Sequence, residues 1–240
     1  MTLISLLVSH VLLLTGLAAP PFGIGETLRY DAKLGYFPVG TASISVSRTA
    51  QERGTPALVF TMAGQGGPPG WRVRYDLTSW VDSGRFNSLR FHRKLVQGGK
   101  VDEHEYLILP DSSRYQQVGV DGAWVAPSDP LDELAFLYFL RTAPLQPGRS
   151  YSYSRYFKSG YNPIQVTVGL EREQVALPGG KTVPGLAVQV ASKGMVMKVW
   201  FTDDKQRLPV QLEVPLPFGV VALQLVGVEA GKRGGGEAGK

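Results

Sequence analysis

The chain has 240 residues, of which 43% are hydrophobic and 19% charged, so it is long enough for one large β domain and too apolar to be disordered as a whole. It contains no cysteine, which excludes disulfides, thiolate metal sites, a cysteine nucleophile and a lipidated N-terminal cysteine. Lysine and arginine outnumber aspartate and glutamate 25 to 20, but the cations are scattered singly or in pairs, and no nucleic-acid-binding stripe is present.

Residues 1–19 carry no acidic or basic side chain apart from His10. Leu3 to Leu17 is mostly Leu, Val and Ile, and Ala18-Ala19 then precede Pro20-Pro21. This reads as a signal peptide, removed near Ala18 or Ala19, and it implies export to the periplasm or cell envelope. The alternative is a retained membrane anchor, although the apolar run falls short of the roughly 20 residues a span needs. After cleavage no later segment resembles a transmembrane helix.

From Gly25 onward the pattern is β-like, and the 29 glycines and 17 prolines point to many turns between strands. Thr27 to Leu34 is a strand candidate. Gly40 to Arg48 alternates Ala42, Ile44 and Val46 against Ser43, Ser45 and Ser47, the period of a half-buried antiparallel strand. Between them Tyr36-Phe37-Pro38-Val39 forms an apolar hairpin loop. Ala57 to Ala63 and Trp71 to Leu77 flank a Gly/Pro loop. Phe86 to Val96 and Val101 to Leu109 flank Gln97-Gly98-Gly99-Lys100, and Gly-Gly favours a two-residue turn with positive φ at both positions. In that register Phe91 faces Tyr106 and Leu89 faces Ile108, while His92 meets Glu105 and Lys94 meets Glu103 on the other face, which matches apolar with apolar and charge with countercharge.

One helix is expected over Leu131 to Arg141, started by Ser128-Asp129-Pro130 with proline at the first helical position and Arg141 at the end, as the macrodipole prefers. It is apolar around most of its girth and so is expected to be buried. Strands resume at Ser150 to Lys158, Ile164 to Leu170, Thr182 to Ala191, Met195 to Thr202, Leu208 to Val214 and Gly219 to Val228. The expected organisation is one β-rich domain over 25–228 and a disordered Gly-rich tail over 229–240. The fold class is mainly β: a single large curved antiparallel sheet, a half-barrel or open barrel, wrapping one buried helix.

Several stretches carry a resemblance. Gly25-Glu26-Thr27-Leu28-Arg29-Tyr30 is followed by Gly40-Thr41-Ala42. Phe86-Asn87-Ser88-Leu89 comes with Phe91-His92. Asp129-Pro130-Leu131 leads to Tyr138-Phe139-Leu140-Arg141 and then Pro147-Gly148. Trp200-Phe201-Thr202-Asp203-Asp204 is followed by Arg207-Leu208-Pro209-Val210, and Pro217-Phe218-Gly219 closes the series. In this order and spacing the chain resembles the DUF3108 family of uncharacterised bacterial envelope proteins. The resemblance implies an envelope location and a curved antiparallel sheet similar to periplasmic lipoprotein and lipid carriers. It offers no catalytic residues.

The residues themselves show no catalytic signature and no cofactor or metal motif. His92 and His104 fall on opposite faces of the predicted hairpin, so neither completes a metal site with Glu103 or Glu105. Asp203-Asp204 is read as a turn, with a carboxylate site as the alternative. No G-x-S-x-G, S-x-x-K, P-loop or G-x-G-x-x-G opening a helix occurs. Three expectations follow. The first is a non-catalytic envelope protein that holds an apolar or amphipathic molecule, such as a lipid, in the sheet concavity, with Trp71, Tyr75, Met195, Met197 and Phe201 as lining residues. The second is a structural or assembly protein with an envelope protein partner on the Tyr36, Phe37 and Val39 loop. The third is a hydrolase with an unrecognised carboxylate site.

Overall fold

The computed structural model describes residues 20–67, 70, 72–193, 195–216 and 219–231. The segment read as a signal peptide, Trp71, and the tail beyond 231 lie outside the described residues, as does the side chain of Met195. Fourteen strands form one antiparallel sheet: β1 (Thr27–Leu34), β2 (Phe37–Glu52), β3 (Thr55–Gly66), β4 (Val73–Asp82), β5 (Ser88–Gln97), β6 (Lys100–Leu109), β7 (Arg114–Gln117) and β8 (Trp124–Val125), then helix α1 (Glu133–Thr142), then β9 (Ser150–Tyr153), β10 (Ile164–Ala176), β11 (Thr182–Ser192), β12 (Met195–Thr202), β13 (Pro209–Leu216) and β14 (Gly219–Glu229).

Strand order is β8-β7-β6-β5-β4-β3-β2-β1-β14-β13-β12-β11-β10-β9. Two meanders therefore run outward from a shared centre, where β1 pairs with β14 from Thr27↔Glu229 to Leu34↔Val221. The free edges β8 and β9 do not pair with each other among the described residues. The chain draws the two arms together instead through the extended residues ahead of α1. The Ser88 amide donates to the Pro130 carbonyl at 2.7 Å, and Leu131 exchanges bonds with Arg155 and Phe157 at 2.6 and 2.9 Å. Phe157, fully buried, packs on Phe91, Tyr106 and Tyr115 of the opposite arm.

Helix α1 lies inside this curl. Phe60 of β3 stacks on Tyr138 at 4.2 Å, Tyr153 of β9 meets Phe136 edge-on, and Phe22 packs on Tyr138. Leu131, Leu134, Ala135, Tyr138 and Leu140 are almost wholly buried. Aromatic payload and a greasy helix girth thus cover the inward residues of both arms, which no flat sheet could do alone.

Several expectations need correction. The helix does not start at Pro130 or Leu131. Its cap is Asp132, whose carboxylate accepts the Leu134 and Ala135 amides, so two orphan N–H groups are satisfied there and Pro130-Leu131 are free to extend as the seam. The apolar loop is shorter than expected: only Gly35 and Tyr36 lie between strands, and Phe37–Val39 belong to β2. The Ser150–Lys158 strand ends at Tyr153 because the chain leaves β10 to form the seam. Thr27 to Leu34 is a strand as expected, while β7 and β8 were not expected at all. The sheet extends through Glu229, the first residue assigned to the tail, which pairs with Arg29 at 2.5 Å. The β5–β6 register is as predicted, with Phe91↔Tyr106, His92↔Glu105 and Lys94↔Glu103, and Gly98 and Gly99 turn at φ 55° and 80°.

Candidate functional site

Antiparallel alternation sends the turns to two rims. The β2–β3, β4–β5, β6–β7, β10–β11 and β12–β13 turns share one rim with the ends of α1. There Ser88 Oγ donates to the Asp132 carboxylate, Arg141 pairs with Glu26 ahead of β1 at 2.5 Å, and Arg141 also donates to the Gln206 carbonyl at 3.1 Å. The β1–β2, β3–β4, β5–β6, β11–β12 and β13–β14 turns form the far rim, with the β7–β8 and β9–β10 connections at its edges.

The period-2 pattern fixes which side chains face the helix. In β4 and β5 these are Tyr75, Leu77 and Ser79 with Phe91, Arg93 and Leu95, and in β6 they are Asp102, His104 and Tyr106. Close to α1 this face is solid: the gap between Leu28, Ile44, Leu137, Tyr138, Arg141 and Pro209 has no room for a water molecule. Toward the far rim the inward side chains are only partly covered. Leu34, Val39, Met62, Tyr75, Val190 and Met197 are half-buried against the core, and Ala42 and Gly64 leave small-residue positions between them. A separate depression of about 300 Å³ lies on the outer face of β2–β4, lined by Thr41, Ser43, Ala63, Gln65, Arg74 and Asp76.

Beside the half-buried apolar residues stands a polar group on the same inward face. Arg93 Nη2 meets Asp102 Oδ2 at 2.6 Å and His104 Nε2 meets Asp102 Oδ1 at 2.6 Å. Gln117 Nε2 is 3.1 Å from His104 Nδ1. The hydrogen bond from Arg93 holds the Asp102 carboxyl below its usual range. Tyr156 donates to Glu133 Oε1 at 2.7 Å, and Glu133 Oε2 is buried without a partner among the described residues. Burial, with Glu133 nearby, raises the Tyr75 phenol, so that it stays protonated at neutral pH. These groups can bind a polar end by donating and accepting hydrogen bonds. No group of three or more His, Asp or Glu is placed to hold a metal among the described residues.

Of the lining residues expected from the sequence, Tyr75 lies on β4, whereas Met197 and Phe201 lie on β12, six strands away in sheet order. They share the inward face without forming one adjacent patch. Phe201 is fully buried opposite Leu186 and belongs to the core. Met195 lies at the start of β12. Tyr36 and Phe37 are 99% and 75% exposed, while Val39 turns half inward. The Arg93–Asp102–His104 group went unnoticed in the sequence although the signal was there: the Gly98-Gly99 register puts Arg93 opposite His104 on the face of Phe91 and Tyr106. Asp204 is a turn residue, its Oδ1 accepting the amides of Gln206 and Arg207 at 2.9 Å each, and Asp203 pairs with Arg172.

Among known proteins, the family model described as "Protein of unknown function (DUF3108)" matches residues 29–226. No curated protein matches the sequence. A solved β-barrel-like protein of the domain of unknown function DUF1849 from Brucella abortus superposes with a TM-score of 0.62 at 12% identity, covering 88% of this chain and 99% of that one. That likeness supports the fold alone. A putative lipoprotein from Parabacteroides distasonis aligns over 88% of this chain and 99% of its own at 9% identity, but with a TM-score of 0.29, too loose for any element to be compared. No helix among the described residues is long and apolar enough to cross a membrane.

Proposed function

The chain belongs to the DUF3108 family of proteins of unknown function, and on that premise we propose that it is an exported, non-catalytic envelope protein that holds an amphipathic molecule against the far-rim half of its inward face. The observation that carries this reading is the contrast between the two halves of that face. Near the helix the packing is closed. Toward the far rim, half-buried Tyr75 and Met62 lie near the polar Arg93–Asp102–His104 group, and half-buried Leu34 and Met197 lie further round the same inward face. An apolar body on the first set and a polar head on the second would cover surface that the chain leaves partly wet. Met side chains adapt to varied apolar shapes. Export is the reading of the N-terminal apolar segment.

Native mass spectrometry of protein recovered from its own envelope tests the proposal. A lipid-sized adduct is expected, reduced several-fold by Tyr75→Ala with Met197→Asp at unchanged circular dichroism. Protein that is bare in every preparation defeats the reading. A second reading, an assembly protein with an envelope protein partner, is favoured by the exposed Tyr36 and Phe37. It expects Phe37→Asp with Val39→Asp to abolish co-purification of a partner while folding is kept.

A further inference from the structure

The two rims differ in chemistry. The described residues between strands at the far rim are Gly35-Tyr36, Gly67, Gly70, Arg72, Gly98-Gly99, Val118 to Ala123, Ser154 to Pro163 and Lys193, with Asp121 the one acidic side chain among them. At the helix rim the corresponding residues include Arg53, Arg85, Asp111, Lys181, Asp203, Asp204, Lys205 and Arg207, of both signs. The far rim also exposes large apolar side chains: Tyr36 at 99%, Phe37 at 75%, Val101 at 58%, Val220 at 51% and Val196 at 46%. The helix-rim turns expose no large apolar side chain among the described residues, although strand residues toward that rim do, Leu170 at 84% and Val125 at 65%.

Cations stand among these apolar tips. Lys33 lies three residues before Tyr36, Arg72 ends the β3–β4 turn, Lys100 follows Gly99, and Lys193 opens the β11–β12 turn. None of the four is in an ion pair among the described residues, although Lys33 Nζ contacts Gln224 Oε1 at 3.3 Å. The nearest carboxylates on the β5–β6 hairpin are already engaged, Asp102 with Arg93 and Glu103 with Lys94 at 2.7 Å. At the sheet's outer edge, the β7–β8 turn on this side does carry Asp121.

We propose that the far rim docks on an anionic lipid bilayer, with Tyr36 and Phe37 entering the interface and Lys33, Arg72, Lys100 and Lys193 facing the headgroups. Aromatic side chains favour the membrane–water boundary, and lysine and arginine reach out from it to the phosphates. A protein partner would have to meet four cations with matching carboxylates. A bilayer supplies that charge over any lateral geometry, and it also takes up apolar tips belonging to separate hairpins. The helix rim, held rigid by the buried Arg141–Glu26 pair, would then point away from the membrane. This inference rests on the rim chemistry and does not require that a ligand be carried.

Because the chain has no cysteine, single-site labelling tests it directly. An environment-sensitive fluorophore is placed on Tyr36→Cys at the far rim and, separately, on Ser112→Cys in the β6–β7 turn. Each labelled full chain is mixed with phosphatidylethanolamine/phosphatidylglycerol vesicles containing brominated acyl chains. The label at 36 is expected to blue-shift and be quenched, and the label at 112 to do neither. Lys33→Glu with Lys100→Glu should weaken vesicle binding by about 5-fold or more per charge removed, and phosphatidylcholine vesicles should bind weakly. Tethering by the N-terminal apolar segment alone would bring the protein down with vesicles but leave the label at 36 unquenched. That outcome overturns the proposal, as does equal quenching at both positions. A shift at 36 that tracks protein concentration without lipid marks self-association and overturns it too. Wild-type protein bare of any adduct in every preparation but still quenched at 36 would defeat the proposed function and leave this inference standing, whereas an adduct without quenching at 36 would do the reverse.

Discussion

Asp132 and Arg141 hold the two ends of helix α1, and both are buried. Asp132 accepts two helix amides at 3.0 Å each and the hydroxyls of Ser79 and Ser88 at 2.5 and 2.7 Å. Burial nonetheless outweighs these bonds and pushes its carboxyl up to about 6. The folded value thus lies above that of the unfolded chain, and the folded state binds more protons between about pH 4 and pH 6. This group's contribution is whole below about pH 4 and is lost as pH rises through about 6, on the order of 3 kcal/mol. Urea midpoints measured across that window should fall with pH in the wild type, and Asp132→Asn should flatten the slope; parallel slopes would refute the assignment. Arg141 makes the opposite case. Its guanidinium bonds both oxygens of Glu26 at 2.5 and 3.0 Å in a dry site. Arg141→Met leaves that carboxylate unpaired and should cost about 3–5 kcal/mol, while Glu26→Gln with Arg141→Met should restore most of it, as chemical denaturation would show. The sequence placed Arg141 at the helix end and Asp132 in the first turn as a charge the macrodipole favours, not as the cap, because the Pro130 signal three residues ahead of the helix competes with it.

Among the elements, the hairpins were the most legible. Alternation identified most of the strands, and Gly98-Gly99 set a register that also carries the Arg93–His104 pairing. What alternation could not show is how close the backbones come. A Cβ on Gly40 would overlap the Gln65 carbonyl and one on Gly66 the Val39 carbonyl, whereas one on Gly54 meets nothing within 4 Å. Gly40→Ala should therefore force β2 and β3 apart, cost about 1–3 kcal/mol and speed amide exchange at residues 39–42 and 64–67. Gly54→Ala, whose only fault is a positive φ of 80°, should cost about 1–2 kcal/mol and leave those amides protected. Equal exchange in the two variants would mean that the strands tolerate separation. The short strands β7 and β8 escaped notice because four and two residues are too few to display a period.

In the whole molecule, β1 and β14 join the two meanders, so the first and last strands of the sheet share one ladder. Hydrogen exchange should be slowest in β1, β2 and β14, where pairing is flanked on both sides, and fastest at the edges β8 and β9. Edge amides as protected as the centre would show that the arms close further than the seam at Leu131 indicates. The sequence by itself determined that this chain is a β ribbon around one greasy helix, where most strands lie, and that no familiar catalytic motif is spelled out, because periodicity, turn residues and motif spacing act over a few neighbours. Only the tertiary structure decided that β14 returns to β1 across nearly 200 residues of chain, that Phe201 is core while Tyr75 stays half open, and that the acid-poor turns share a rim. Those outcomes depend on how two arms curl over the same helix, and curvature is a property of the whole sheet that no local stretch of residues encodes.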